Sequence, residues 1–243
     1  MVVSADGRGR TLFEILTGRN KKDQRPVEFQ HHNPLKAKVG GFITIDEEPD
    51  VADIRFSVDA IAVYETKIGS KSFFHTDYYL KGTALDASEP IRYRLRLIAD
   101  ENVENKLRCR IQLLRLYTTM EQQEAEESNF ASVLSDPEGV FYIDYDDEGN
   151  QYTKEQRPTY WRIKGIIDPY HASVVFMKDT DGNGSIDDEE LERSNMTSWE
   201  YHRDTTVDSV KTREYLSIEM NDETGFYTFL RGGEVLQSQI GVF

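Results

Sequence analysis

The stretch IRYRLRLIAD, residues 91–100, gives the clearest indication of how this chain folds. Arg92, Arg94 and Arg96 alternate in it with apolar residues. Because successive side chains of a β-strand point to opposite faces of a sheet, this alternation predicts a strand with one apolar and one polar face. A strand with one buried face and one face in water is typical of antiparallel sheets. We therefore expect an antiparallel sheet in which the arginine face is exposed to solvent.

The same two-residue period continues through most of the chain on both sides of this stretch. It predicts strands at 41–48, 53–66, 71–83, 91–100, 106–119, 140–145, 151–155, 159–167, 172–178, 213–220 and 225–243. We interpret residues 231–234 (RGGE) as a two-residue hairpin turn, because both glycines can adopt positive φ. No segment alternates strands with long helices, which disfavours a parallel α/β fold. The predicted fold is mainly β, with antiparallel sheets arranged as a meander, a sandwich or a barrel.

Residues 1–37 differ from the rest and are predicted to form an N-terminal extension with one short helix. The helix is predicted at residues 11–18 (TLFEILTG), whose four large apolar side chains share one face. Residues 38–243 are predicted to form a β-rich domain. Residues 121–136 (EQQEAEESNFASVLSD) favour a helical or loose connector. A division into two subdomains would fall near 121–138, and the second half would then carry the acidic loop described below.

The charge and the cysteine content limit the partners and the compartment. The formal charge is −15 at pH 7, although residues 1–40 contain eight basic and four acidic residues. An acidic body repels phosphate backbones, so we expect no nucleic-acid partner; calcium or a protein is expected instead. Cys109 is the only cysteine, which excludes an internal disulfide and fits the cytoplasm. No apolar run approaches the roughly 18 residues of a membrane-spanning helix, so no transmembrane segment is expected.

DTDGNGSIDDEE, residues 179–190, is the stretch with the clearest chemistry. Residues with oxygen-bearing side chains recur along it: Asp179, Asp181, Asn183, Ser185, Asp187 and Glu190. Calcium binds about six to eight oxygens, and Gly184 permits the sharp turn that wraps such a loop around the ion. Position by position, the stretch resembles an EF-hand calcium loop. The resemblance implies that these six residues bind Ca²⁺, Ser185 through its backbone carbonyl and Glu190 with two oxygens.

The segments next to this loop differ from the two helices that enclose an EF-hand loop. Residues 172–178 (ASVVFMK) favour a strand, whereas residues 188–195 predict a short helix. We therefore expect a strand–loop–helix site or a hairpin insertion that holds a structural calcium ion. A weaker second copy of the loop falls at 144–155, with Asp144, Asp146 and Glu155 at corresponding positions. The alternative interpretation of that segment is an ordinary hairpin turn around residues 148–150.

No group of residues forms a convincing catalytic site in the sequence. His75 and Asp77 share a strand face, where a base and an orienting carboxylate are geometrically possible, but no nucleophile can be assigned. The leading hypothesis is a calcium-binding, non-catalytic interaction or accessory protein. The alternative is a hydrolase-like enzyme with an aromatic and carboxylate cleft, in which calcium is structural. Converging carboxylates with perturbed pKa values would favour the enzyme, and an exposed aromatic patch would favour the interaction protein.

Overall fold

Antiparallel strands and two short helices make up the part of the chain that the structure describes. This structure, a computed structural model, describes residues 34–46, 51–52, 54–68, 70–83, 90–99, 109–136, 138–146, 149–163, 169–179, 191–207 and 210–243. The strands are β1 (Phe42–Ile45), β2 (Arg55–Ile68), β3 (Lys71–Gly82), β4 (Ile91–Ala99), β5 (Cys109–Met120), β6 (Val140–Tyr142), β7 (Thr159–Arg162), β8 (Tyr170–Met177), β9 (Leu191–Val207), β10 (Val210–Asn221), β11 (Tyr227–Glu234) and β12 (Ile240–Val242). The helices are α1 (Gln122–Glu127) and α2 (Phe130–Leu134). The predictions of a mainly β, antiparallel fold and of a helical connector at 121–136 are confirmed. The helix predicted at 11–18 lies outside the described residues.

Eight of the strands close into an antiparallel barrel. The barrel consists of two meanders, β2–β3–β4–β5 and β8–β9–β10–β11. These meanders join along two seams, because β5 pairs with β11 and β8 pairs with β2. Strands from both sides of the helical connector therefore share one barrel. Closure gives each barrel strand a neighbour on both sides, so backbone groups pair within the sheet.

Two small extensions continue the sheet beyond the barrel. The first residues of β2 pair with β1, which also pairs with β12, whereas the later residues of β2 pair with β8. The long strand β9 similarly pairs with β8 and then with β7, which pairs with β6. Among the described residues, no helix is long and apolar enough to cross a membrane.

The arginines of β4 point into the barrel. Arg94 contacts Glu219 on β10 and Arg96 contacts Glu200 on β9, although neither strand is a neighbour of β4 in the sheet. The prediction that the arginine face is exposed is wrong here, because Arg94 is 8% and Arg96 1% exposed. Arg92, nearer the end of the strand, is exposed as predicted. Buried carboxylates replace water as hydrogen-bond partners of the two buried arginines, which allows a charged interior.

The larger apolar clusters therefore lie on the outer surface of the barrel. Leu95 and Leu97, which alternate with the buried arginines, belong to a cluster over β2–β5 that includes residues of β1 and β12. A second cluster lies between β9–β11 and the segment containing α1, α2, β6 and β7. In it Phe130 of α2 packs against Phe229 of β11, with 5.5 Å between the ring centroids. The buried face of α2 explains why so short a helix is stable at this position.

Strand β9 corrects the prediction of a helix after the acidic loop. Leu191–Asn195 belong to β9 and pair residue by residue with β8, so the helix prediction is wrong for these residues. Residues 188–190 lie outside the described part of the chain. Helix propensities differ by only tenths of a kcal/mol per residue, whereas strand pairing here adds long-range hydrogen bonds and burial.

Strand β11 corrects the prediction of a hairpin turn at residues 231–234. These residues lie within β11 and pair with β5, and residues 231–233 also pair with β10 on the other side. A Cβ atom at Gly232 would lie 1.8 Å from the carbonyl oxygen of Leu113. The glycine is therefore explained by the close approach of two strands and not by positive φ.

Candidate functional site

The predicted calcium loop joins the two strands of the β8–β9 hairpin. Pairing of these strands extends to Met177 and Leu191, so residues 178–190 connect the last pair. Next to that pair, the Nζ atom of Lys178 lies 2.7 Å from Oε2 of Glu192. Asp179 is the predicted ligand that falls within the described residues. The other predicted ligands lie outside them: Asp181, Asn183, Ser185, Asp187 and Glu190.

The second acidic stretch, residues 144–155, forms a tight turn in its described part. Arg157 Nη1 donates to Asp144 Oδ1 at 2.8 Å, and the backbone N–H of Asn150 donates to Asp146 Oδ1 at 2.7 Å. Gly149 has a φ of 83°, which favours glycine. These contacts agree with the hairpin-turn interpretation. The strand predicted at 151–155 is wrong, because only a single bridge at its first residue is present.

Arg96 is the centre of a group of buried charges inside the barrel. Its Nε and Nη2 atoms donate to the two carboxylate oxygens of Asp77 at 2.9 and 2.8 Å. Its Nη1 atom donates to Glu200 Oε1 at 2.8 Å and to Ser217 Oγ at 3.1 Å. Nη2 also donates to Glu219. All five N–H donors of the guanidinium therefore have an acceptor, which fixes three carboxylates from β3, β9 and β10 around one cation.

Arg94 supplies a second guanidinium two residues along β4. Its Nη1 atom donates to Glu219 and, at 3.4 Å, to the hydroxyl oxygen of Tyr64. The guanidinium carbon lies 4.5 Å from the ring centroid of Tyr79, a cation–π contact. The hydroxyl oxygens of Tyr64 and Tyr79 are 3.3 Å apart. Glu219 therefore accepts hydrogen bonds from two cations within an aromatic enclosure.

The two glutamates of this group have opposite pKa shifts. Burial alone would raise the pKa of Glu219, but Arg94 and Arg96 outweigh it and hold the pKa at about 2. Burial raises the pKa of Glu200, and its contact with Arg96 offsets that effect only in part. Glu219 is therefore ionised at neutral pH, whereas Glu200 is the carboxyl of the pair that takes up a proton more readily.

His75 lies beside this group, stacked on Tyr64 with 4.2 Å between the ring centroids. Its Nε2 atom is buried, has no hydrogen-bond partner among the described residues and lies 3.9 Å from Asp77 Oδ1. Burial, and then the charge of Arg96, lowers the pKa of His75 to about 4. The ring is therefore neutral at pH 7. The distance is longer than a hydrogen bond, so Asp77 does not orient His75 as a base would require.

Large aromatic side chains are exposed on the extension formed by β6 and β7. Tyr142 is 49%, Tyr145 51% and Trp161 51% exposed. Tyr142 and Trp161 lie on one face, because Val140 pairs with Trp161 and Tyr142 is two residues further along β6. Arg157 lies over the ring of Tyr142, with its guanidinium carbon 5.0 Å from the centroid. Such exposed aromatic groups are typical of interaction surfaces.

The sequence analysis did not identify the buried charges Arg94, Arg96, Glu200 and Glu219. The two-residue period of charge along β4 was a signal, but it was interpreted as a solvent-exposed face. Polar residues also alternate with apolar ones in β10, where Glu219 lies between Ile218 and Met220. The two strands are far apart in sequence, and their contact across the barrel follows only from the strand order.

Among the described residues, no group of three or more His, Cys, Asp or Glu side chains is arranged to hold a metal ion. Comparisons with protein-family models, with curated proteins and with solved structures gave no match.

Proposed function

We propose that this protein is a calcium-binding, non-catalytic interaction or accessory protein, with one structural calcium ion in the loop at residues 179–190. The observation that carries the proposal is the pairing of Met177 with Leu191, which holds the two ends of this loop together. A loop with fixed ends loses less conformational entropy when its oxygens gather around an ion. Bound calcium would then stabilise the hairpin whose strand β8 closes the barrel against β2.

The interaction role is supported by the exposed aromatic side chains Tyr142, Tyr145 and Trp161. Exposed aromatic residues contribute large contact areas when a partner binds. The charge of −15 and the single cysteine support a cytoplasmic protein that binds cations and proteins and does not bind nucleic acid.

The alternative function is a hydrolase-like enzyme, and the opposite pKa shifts of Glu200 and Glu219 favour it. Against this alternative, Arg96 binds both carboxylates and Asp77 with its donors fully used. A group this extensively hydrogen-bonded is typical of a fixed structural network, whereas a catalytic pair needs space for a substrate between its carboxyl groups.

The test is a calorimetric titration of metal-stripped protein with Ca²⁺, combined with melting curves in calcium and in chelator. We expect one site and a higher melting temperature with calcium, because the ion binds the folded hairpin. Asp181→Asn combined with Glu190→Gln should abolish both effects, since two of the predicted ligands lose their charge.

Glu155→Gln provides the matched control in the other acidic stretch and should retain binding. Calcium binding that persists in the Asp181→Asn, Glu190→Gln variant would contradict the assignment of residues 179–190. A second site that disappears in Glu155→Gln would instead assign a metal to residues 144–155. Absence of both heat and a melting shift in the unmodified protein would contradict the proposed function.

A further inference from the structure

Among the residues that the structure describes, the buried charges inside the barrel do not balance. Three carboxylates, those of Asp77, Glu200 and Glu219, face the two guanidinium groups of Arg94 and Arg96. Asp77 and Glu219 each lie within 4 Å of both arginines, whereas Glu200 contacts Arg96. A buried charge without a counterion is costly, so the excess negative charge falls on Glu200.

One carboxylate oxygen of Glu200 has no hydrogen-bond donor within the described part of the chain. Its Oε1 atom accepts hydrogen bonds from Arg96 at 2.8 Å, from Ser217 at 2.7 Å and from Tyr170 at 3.1 Å. Its Oε2 atom accepts none from the described residues, although the side chain is only 19% exposed. A carboxylate oxygen in such a position can accept hydrogen bonds from a ligand that carries N–H or O–H groups.

The interior face also carries polar atoms without a partner among the described residues: the hydroxyl of Ser198 and two atoms that can accept a hydrogen bond. His75 Nε2 is one, and it accepts a hydrogen bond when the proton of the neutral imidazole is on Nδ1. Gln112 Oε1 is the other; Gln112 is 2% exposed and is the register partner of Arg96 on β5. Buried polar atoms are normally satisfied, so these atoms indicate that a hydrogen-bonding ligand belongs in the interior, and Gln112 Oε1 requires a donor.

Aromatic rings lie beside Glu200. The hydroxyl group of Tyr170 donates to Glu200, and its ring meets the ring of His75 edge-on at 6.3 Å between centroids. His75 is itself stacked on Tyr64. Faces of tyrosine rings attract cations and repel anions, since the ring quadrupole is negative on its face.

We propose that the interior of the barrel binds a small organic cation of the primary-ammonium class, with its N–H groups directed at Glu200 Oε2. Excess carboxylate, unused acceptors and aromatic walls all select for a cation with several N–H donors. An ammonium group has three donors and no acceptor. This proposal is independent of calcium, because no residue of the 179–190 loop takes part in it.

Two other occupants are distinguished by the test. A proton on Glu200 Oε2 would remove the excess charge without any ligand, and a small anion would pair with Arg94. The probe is methylammonium chloride, compared with sodium chloride, tetramethylammonium chloride and sodium acetate at equal ionic strength. The measurements are calorimetry and the melting temperature at pH 8.

We expect saturable methylammonium binding and a melting temperature that rises with its concentration. Glu200→Gln should weaken binding about tenfold or more, because a charged hydrogen-bond partner is lost. Its amide oxygen still accepts from Arg96 and Tyr170, so the barrel is retained. His75→Phe keeps the stacking on Tyr64 and should weaken binding less. Glu192→Gln, an exposed change on the same strand, should bind like the unmodified protein.

Each contrary outcome overturns the proposal in a recognisable way. Equal melting shifts in Glu200→Gln and the unmodified protein would identify a general solvent effect. No methylammonium binding, with a more stable Glu200→Gln variant, would identify a proton as the occupant. A response to acetate alone would identify an anion site at Arg94. If Glu200→Gln does not fold, nuclear Overhauser contacts between the methyl group and the Tyr170 ring in the unmodified protein decide, and their absence overturns the proposal.

Discussion

The inner and outer surfaces of the barrel both bury side chains, but the inner surface buries charged groups and the outer surface buries apolar ones. Leu95 and Arg96 are neighbours on β4, and both are almost fully buried. Leu95 packs in an apolar cluster outside the barrel, whereas Arg96 is enclosed by carboxylates inside it. The outer surface requires only apolar area of suitable shape, but the inner surface requires each polar atom to meet a partner. A two-residue alternation of charge therefore does not by itself indicate a solvent-exposed face.

The largest expected effect is that of Arg96→Met, which removes the cation at the centre of the interior. Asp77, Glu200 and Glu219 would remain buried with one guanidinium to share. We expect the free energy of unfolding to fall by about 3–5 kcal/mol, measured by urea denaturation. Arg92→Met is the matched control on the exposed part of the same strand and should change it by about 0.5 kcal/mol or less. Equal effects of the two changes would remove the distinction between interior and exposed arginines.

On the outer surface, Leu95→Ala tests the apolar half of the comparison. The change removes a fully buried side chain from the cluster over β2–β5 and leaves a cavity. We expect a loss of about 2–4 kcal/mol in the same urea experiment, with little dependence on pH or salt. Leu95→Met keeps the volume and should cost about 1.5 kcal/mol or less. A salt-dependent loss for Leu95→Ala would mean that the two surfaces are coupled.

The sequence predicted the strands that have an apolar outer face, but it did not predict the polar contacts inside the barrel. An alternating strand such as β4 is recognised from its own residues, and the five strands predicted before residue 120 are all present. The interior partners of Arg96 come from β3, β9 and β10, so they depend on a strand order that local patterns do not contain. Strand β9 itself was not predicted, because its inward residues Ser198 and Glu200 are polar. A polar interior removes the apolar alternation by which strands are recognised.

The pH dependence of stability is the next effect in size, and it originates from the interior. His75 has a pKa of about 4 in the folded protein against 6.5 unfolded, so stability is lost as the pH falls from 6.5 to 4. Glu219 has a pKa of about 2 against 4.5 unfolded, so a further loss follows as the pH falls below 4.5 towards 2. Each loss is on the order of 3 kcal/mol, measured by urea denaturation at several pH values.

Glu200 has the opposite dependence, which separates it from these two groups. Its pKa is raised in the folded protein, so its contribution to stability declines as the pH rises above 4.5. His75→Phe should flatten the dependence of the unfolding free energy on pH between pH 6.5 and 4. Glu200→Gln should remove the decline that Glu200 causes above pH 4.5. If the stability of His75→Phe still falls between pH 6.5 and 4, other groups cause that loss.

The smallest expected effect is that of Gln112→Leu, which should not lower stability. This variant tests whether the interior residues serve stability alone. Gln112 is 2% exposed, and its Oε1 atom has no hydrogen-bond partner among the described residues. Burying an unsatisfied acceptor is unfavourable, so Gln112→Leu should leave stability unchanged or raise it by about 1 kcal/mol, measured by urea denaturation without ligand. The same variant should bind methylammonium more weakly if the acceptor serves a ligand. A destabilised variant would instead mean that Gln112 belongs to the satisfied network around Arg96, and the interior would then be explained by folding alone.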